Sequence, residues 1–323
     1  MTKKCDVDLA TYPKAPRALA DGMIAELAAG GGLHPIVEAV ANDPEGALRL
    51  DIREKRFNIY HKGGSLLCVD GRRRPWSMIF DSKYFDGSGR EIPVLPSNFT
   101  GAADAQAWCE AFPALRQGMI DWWGRVHACQ ERADCQAIAK ANGARDRLPA
   151  GDYFVLDLEY QWAQRRFDLV ALRRVPTATD PGGWANPALT LVEVKSDIGP
   201  CRGSAGLAVH AQDYWSLVGA PESQLERIRN EFVGIFRQKQ ALGLITSNLR
   251  MDAIAPVAPE LLIVFVKMQH QRRDIGSVAR KMALKCPNQS GTGRIRFLEL
   301  ADAEAEMRES EVLKGEAFLS LCG

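Results

Sequence analysis

The chain reads as an α/β protein, with a mixed sheet flanked by helices and a small β-rich domain in front of it. Three observations predict this. Residues 47–85 alternate apolar and polar side chains at the period of two that a half-buried strand requires. Residues 103–142 return to helical spacing, and from Tyr153 onward short apolar runs alternate with amphipathic stretches, the pattern of a sheet covered by helices. A length of 323 residues suits two structural units.

Taken in order, Leu19, Met23, Ile24 and Leu27 repeat at helical spacing until Gly30-Gly31-Gly32 interrupts them, and Pro35 can open a second short helix. Strands follow around Leu48–Ile52, Phe57–Ile59, Leu66–Val69 and Met78–Phe80. Gly63-Gly64 marks a hairpin, because glycine takes the positive φ of a tight turn without a steric penalty. The Gly-, Pro- and Ser-rich stretch 87–101 is the natural boundary. It divides an N-terminal helical segment and antiparallel β domain, residues 1–100, from a second domain, residues 103–323. One broken helix or two helices fit 103–142. Strands are expected at Tyr153–Gln161, Phe167–Arg173 and Leu189–Lys195, then a helix from 204 to 218 with the stripe Leu207, Ala211, Tyr214 and Val218. A long helix over 223–242, a strand at Leu261–Val266, a basic helix over 271–285, a strand at 294–298 and a charged helix from Ala301 complete the reading. Gly291-Thr292-Gly293-Arg294 lacks the Lys-Ser/Thr ending of a phosphate loop and reads as a turn.

Composition excludes several classes. Charged residues make up 25% and hydrophobic residues 46% of the chain, with a formal net charge of +1, so neither disorder nor bulk attraction to polyanions is indicated. The longest apolar run, Leu261–Val266, is far short of the ~20 residues a spanning helix needs. No apolar stretch follows Met1-Thr2-Lys3-Lys4-Cys5-Asp6, so no secretory signal is expected and the location reads as cytoplasmic. The eight cysteines form no C-x-x-C pair and read as reduced thiols.

The chemistry lies in two local violations of burial rules. Asp168 sits in the apolar segment Phe167-Asp168-Leu169-Val170, where a charge costs several kcal/mol unless it is partnered. Leu191-Val192-Glu193-Val194-Lys195 repeats the anomaly on another strand. Residues two apart on a strand share a face, so Glu193 and Lys195 project together. If the two strands are neighbours, two carboxylates and one amine converge. Hard oxygen ligands of this kind suit Mg²⁺ or Mn²⁺, and a metal with an adjacent amine is a hydrolytic arrangement.

At these residues the sequence resembles the PD-(D/E)XK nuclease superfamily, whose core is a helix, a β-hairpin, a third strand, a helix and a final strand. The resemblance covers about residues 130–270, judged by the extent of one such α/β unit. It implies a restriction-endonuclease-like fold, with Asp168 and Glu193 as the acids and Lys195 as the lysine; Phe167 stands where the name-giving proline would be. It implies a Mg²⁺- or Mn²⁺-dependent nuclease acting on nucleic acid, DNA before RNA, with a silent nucleic-acid or protein-binding module as the alternative. Glu131, on the helix before the hairpin, and His210 and Gln212, on the helix after Lys195, are further site candidates on the same ground. The N-terminal β domain, with Tyr60, His61 and Arg72–Arg74 near its turns, reads as a recognition or dimerisation unit, leaving a homodimer open.

Hairpin geometry adds Glu159. If the turn between the first two strands is centred between Ala163 and Gln164, Glu159 stands opposite Asp168, and two like charges so close favour a cation between them. Asp157 takes that place if the turn is longer. Glu159 can instead pair with Arg165 or Arg166 at the hairpin end. On its own chemistry the whole set also admits a structural ion pair between strand ends.

Overall fold

The period-two segment after Ala47 forms a five-stranded antiparallel sheet in the order β1-β2-β3-β4-β5. Its strands are β1 (Leu48–Arg53), β2 (Arg56–His61), β3 (Gly64–Asp70), β4 (Trp76–Ile79) and β5 (Asn98–Phe99). These assignments come from a computed structural model, described for residues 17–126, 130–143, 148–162, 165–203, 206–285 and 295–322. Two short helices precede the sheet, α1 (Met23–Leu27) and α2 (His34–Ala41), the second opened by Pro35 in its first turn, where a missing N–H costs nothing. The β2–β3 turn is Lys62-Gly63, with φ of 46° and 75°, the two positive values of a type I′ hairpin. Gly64 already belongs to β3. A Cβ on Gly64 would lie 2.6 Å from Met119 and 2.7 Å from Trp123, so close packing, not the turn, requires glycine there.

Helices α3 (Ala102–Val126) and α4 (Gln130–Ala141) follow. They pack with this sheet. Leu115 and Met119 join its buried apolar cluster, and Gln136 of α4 accepts the Gly63 N–H at 2.6 Å and donates to the Tyr60 carbonyl at 3.2 Å. The protein accordingly divides into an N-terminal unit, Arg17–Ala150 with Glu231–Arg250, and a C-terminal unit, Gly151–Asn230 with the chain from Met251. The division falls after Ala150 and not at 87–101, because β5 returns from that loop to pair with β4 through Trp76 and Phe99. Asp51 (β1) and Lys239 are both buried and form an ion pair inside the N-terminal unit.

The C-terminal unit is built on a six-stranded mixed sheet in the order β11-β10-β9-β8-β7-β6. Strands β6 (Tyr153–Trp162), β7 (Arg165–Arg173) and β8 (Ala188–Lys195) form an antiparallel meander. The chain then passes through α5 (Leu207–Val218) and α6 (Glu222–Ala241) to β9 (Glu260–Val266), which pairs parallel to β8. α6 contributes residues 222–230 to this unit and 231–241 to the other. After α7 (Arg272–Lys285), β10 (Ile295–Leu300) adds parallel to β9. Every residue of β8 is buried, as expected of a central strand covered on both faces.

No charged helix begins at Ala301. Apart from one 3-10 turn at Glu309–Glu311, the segment is irregular until β11 (Leu313–Lys314) and α8 (Gly315–Leu321). Its backbone is held by other partners: the Met307 carbonyl accepts the Asp152 N–H at 2.9 Å, and the Glu309 N–H donates to Asp152 at 2.7 Å. Met307 is fully buried, so tertiary contacts override helix propensity there. The readings at Met1–Asp6 and Gly291–Arg294, and the turn residues Ala163 and Gln164, lie outside the described residues. Among the described residues no helix is long and apolar enough to cross a membrane, and Cys68, Cys109, Cys135, Cys201 and Cys322 are free thiols.

Candidate active site

Three neighbouring elements of the C-terminal unit assemble the site. β8 pairs with β7 through Leu169 opposite Val192 and Val170 opposite Leu191. One step further along this register Asp168 faces Glu193. The last ladder position is replaced by a side-chain contact: Asp168 Oδ2 accepts the Val194 N–H at 2.9 Å. On the other side Glu193 pairs with Ile263 and Lys195 with Phe265 of β9. The acids and the lysine therefore share one face of the sheet.

Burial makes this cluster energetically demanding. Glu193 is 1% and Lys195 2% exposed, whereas Asp168 is half-buried. Lys195 Nζ donates to Glu193 Oε1 at 2.6 Å. His210 of α5 places Nε2 2.8 Å from the same oxygen. Burial alone pushes the Glu193 carboxyl up, but the His210 hydrogen bond and the charges of Lys195 and His210 outweigh it and hold the group below its ordinary value. Burial pushes His210 down; the hydrogen bond to Glu193 and that residue's charge reverse the sign, and the imidazole lies above its ordinary value. Glu193 is thus held toward its carboxylate form by the Lys195 amine and the His210 imidazole, which share one of its oxygens. Its second oxygen, Oε2, is buried and has no hydrogen-bond partner.

That orphaned oxygen tests whether a metal fits. A buried carboxylate oxygen without a donor carries a desolvation cost, which a cation would remove. Asp168 and Glu193 together supply the one or two carboxylates that magnesium ordinarily takes from a protein. Among the described residues no group of three or more His, Cys, Asp and Glu side chains is arranged to hold a metal. A metal here would thus rest on two protein carboxylates and complete its shell with other oxygens.

The remaining candidates fall as follows. Glu159 is bracketed by Leu158 opposite Leu169 and Tyr160 opposite Phe167, so the register does set it against Asp168. Its backbone is left-handed, φ 50°, and its carboxylate stands 3.8 Å from Arg166 Nη1. Asp157, fully buried, is displaced by a bulge after Val155 and opposes Val170. Gln212 is exposed on α5 and is not brought to Glu193. Glu131 lies on α4, in the N-terminal unit. Asp213 pairs with Arg165 at 2.8 Å and not with His210. The part of His210 was legible in principle, since it lies three residues after Leu207 and four before Tyr214, on the helix stripe that faces the sheet.

No protein-family model, curated protein or solved structure matches the chain.

Proposed function

We propose that the chain is a divalent-metal-dependent nuclease of the PD-(D/E)XK type, hydrolysing phosphodiester bonds in nucleic acid, with DNA as the first substrate to test. One observation carries the reading: the β6-β7-β8 meander, followed through α5 and α6 by the parallel strand β9, sets Asp168 against Glu193 with Lys195 two residues on. This order resembles the hairpin, third strand, helix and final strand of the superfamily's core, although the helix before the hairpin, α4, belongs to the N-terminal unit, and the resemblance matches the three polar residues to its motif. Asp168 and Glu193 would hold Mg²⁺ or Mn²⁺. A bound ion of this kind supplies Lewis acidity at a phosphoryl oxygen and a lowered pKa for its water. Lys195 presents a fixed positive charge where negative charge develops during hydrolysis. His210 holds the Glu193 carboxylate in place and keeps it ionised.

The paired contacts on Glu193 Oε1 favour a second reading, a catalytically silent module in which Lys195 and His210 simply neutralise a buried acid. Cleavage and metal binding separate the two. The nuclease reading expects Mg²⁺- or Mn²⁺-dependent degradation of DNA that stops in EDTA. It also expects Mn²⁺ binding by calorimetry that is lost in Asp168→Asn. Lys195→Ala should lower cleavage by at least roughly a hundredfold, the scale of one electrostatic group at a reaction centre, while Mn²⁺ still binds. Undiminished cleavage in EDTA, or no Mn²⁺ binding by the wild type, would remove the proposal.

A further inference from the structure

We propose that one end of the five-stranded sheet is a surface for the phosphodiester backbone of nucleic acid; this rests on the reading above only in taking nucleic acid as the ligand. The chain's charges nearly cancel, 41 Lys and Arg against 40 Asp and Glu, so any strong local field must come from arrangement. Backbone pairing supplies it. β1 and β2 meet in the turn Glu54-Lys55, closed by Arg53 opposite Arg56. Arg56 in turn opposes Asp70 at the end of β3. The Gly71 N–H donates to the Lys55 carbonyl at 2.9 Å, and the Lys55 N–H to the Ala18 carbonyl at 2.7 Å. Arg74 Nη2 reaches the Asp21 carbonyl at 3.5 Å.

These segments thereby bring Lys55, Arg56, Arg72, Arg73 and Arg74 to one end of the sheet, beside Arg17, whose terminal guanidinium nitrogens are buried. The same three segments carry the acids Asp21, Glu54 and Asp70. Lys55 and all three consecutive arginines are exposed. Arg72 pairs with Asp70 at 3.7 Å, a solvent-exposed contact of the kind that contributes little. The Lys55 and Arg73 side chains make no ion pair among the described residues. Arg74 is held over the ring of Trp76, 5.0 Å from its centroid, and Trp76 stacks on Phe99 at 5.7 Å, so the turn has a rigid footing. Guanidinium groups match phosphate oxygens in a planar fork. The turn residues Asp70 to Arg74 carry no aliphatic or aromatic chain for insertion into a bilayer, which favours a polyanion over a lipid surface.

The test is fluorescence anisotropy of a labelled DNA duplex with the full chain in EDTA, so that binding is read without cleavage, over about 50–200 mM salt. Lys55→Gln/Arg73→Gln removes two unpaired charges and should leave the thermal melting curve unchanged. The wild type should bind. The double variant should bind more weakly, roughly tenfold or more at the low-salt end, with a log–log salt slope shallower by about 0.9 per lost contact. Arg72→Gln/Arg73→Gln should behave alike. A variant with wild-type slope and affinity, or a wild type that binds phosphatidylglycerol vesicles but no duplex, would overturn the proposal. Cleavage scored separately with Mg²⁺ keeps the two readings apart. Binding without cleavage would defeat the nuclease and leave this surface standing; cleavage with unaltered binding in both variants would do the reverse.

Discussion

Glu193 shows how a single buried carboxylate can be kept charged. Lys195 and His210 share its Oε1, and the energetic consequence depends on pH in a way that can be worked out by sign. His210 has a folded value raised above its ordinary 6.5, so its contribution is fully present below that value and is lost as pH rises through the raised one. Glu193 has a folded value lowered from 4.5, so its contribution is present above 4.5 and is lost as pH falls through the lowered one. The His210–Glu193 contact therefore stabilises the fold most between about pH 5 and 6. His210→Ala should cost about 1.5–3 kcal/mol there, the range for a hydrogen bond to a charged group, and distinctly less at pH 9. Denaturant titrations at the two pH values measure the difference, and an equal loss at both would show that the imidazole is not charged in the fold. The N-terminal unit holds the opposite case. His61 is fully buried with neither ring nitrogen hydrogen-bonded, and burial with the neighbouring charges of Arg116 and Lys62 pushes it down to about 4. The unfolded chain binds that proton first, so between pH 6.5 and 4 this residue draws stability away as the solution acidifies.

Among the elements, the β2–β3 hairpin gives the cleanest separation of backbone from packing effects. Gly63 combines φ 75° with a position where an added Cβ would meet Arg132 at 2.6 Å. Gly89 has a similar φ of 68° but nothing within 4 Å. Both alanine variants bear the cost of a left-handed backbone, about 1–2 kcal/mol; only Gly63→Ala adds a clash, commonly another 1–3 kcal/mol. Thermal melts should rank Gly63→Ala well below Gly89→Ala, and equal melting temperatures would mean that α4 yields to the added carbon. The hairpin also shows what local sequence can and cannot reveal. Its turn was legible because glycine there has one steric reason, and β6 to β9 were legible because apolar runs of strand length stand between turn residues. Asp168, Glu193 and Lys195 stood out because each breaks an apolar pattern within a strand. What local pattern could not show was the partner of each charge. Asp213 is three residues from His210 yet pairs with Arg165, and Glu159 reached the expected register while its carboxylate lies toward Arg166. The segment after Ala301 looked helical because its own residues favour helix, and partners far away in sequence, Asp152 and Tyr153 among them, hold it otherwise.

At the scale of the whole chain, neither unit is continuous in sequence, because residues 231–250 return to the N-terminal unit after the C-terminal one has begun. No local motif announces such a return; the loop at 87–101 has every mark of a boundary and is not one. The contact that anchors the return is buried. Lys239 Nζ donates to Asp51 Oδ1 across 188 positions of sequence, and Arg49 Nε lies 3.1 Å from Asp51 Oδ2. Burial alone would raise the Asp51 carboxyl; Arg49, Lys239 and Arg53 together drive it far below the usual carboxylate range. Removing one member strands a desolvated charge, which typically costs about 3–5 kcal/mol, whereas exchanging both members for apolar residues of similar volume is often neutral. Asp51→Leu should therefore lower stability by that amount. Adding Lys239→Met should recover part of the loss, because Arg53 keeps its bonds to the Ile52 carbonyl at 2.9 Å and to the Tyr60 hydroxyl at 3.1 Å, and Arg49, which loses Asp51, keeps its bond to the Ala139 carbonyl at 3.3 Å. Equilibrium unfolding in urea, followed by circular dichroism, gives all three values. If the double variant is no more stable than Asp51→Leu alone, the pair does not act as a unit, and the anchoring of 231–250 rests instead on its apolar contacts, with Leu242 in the buried cluster.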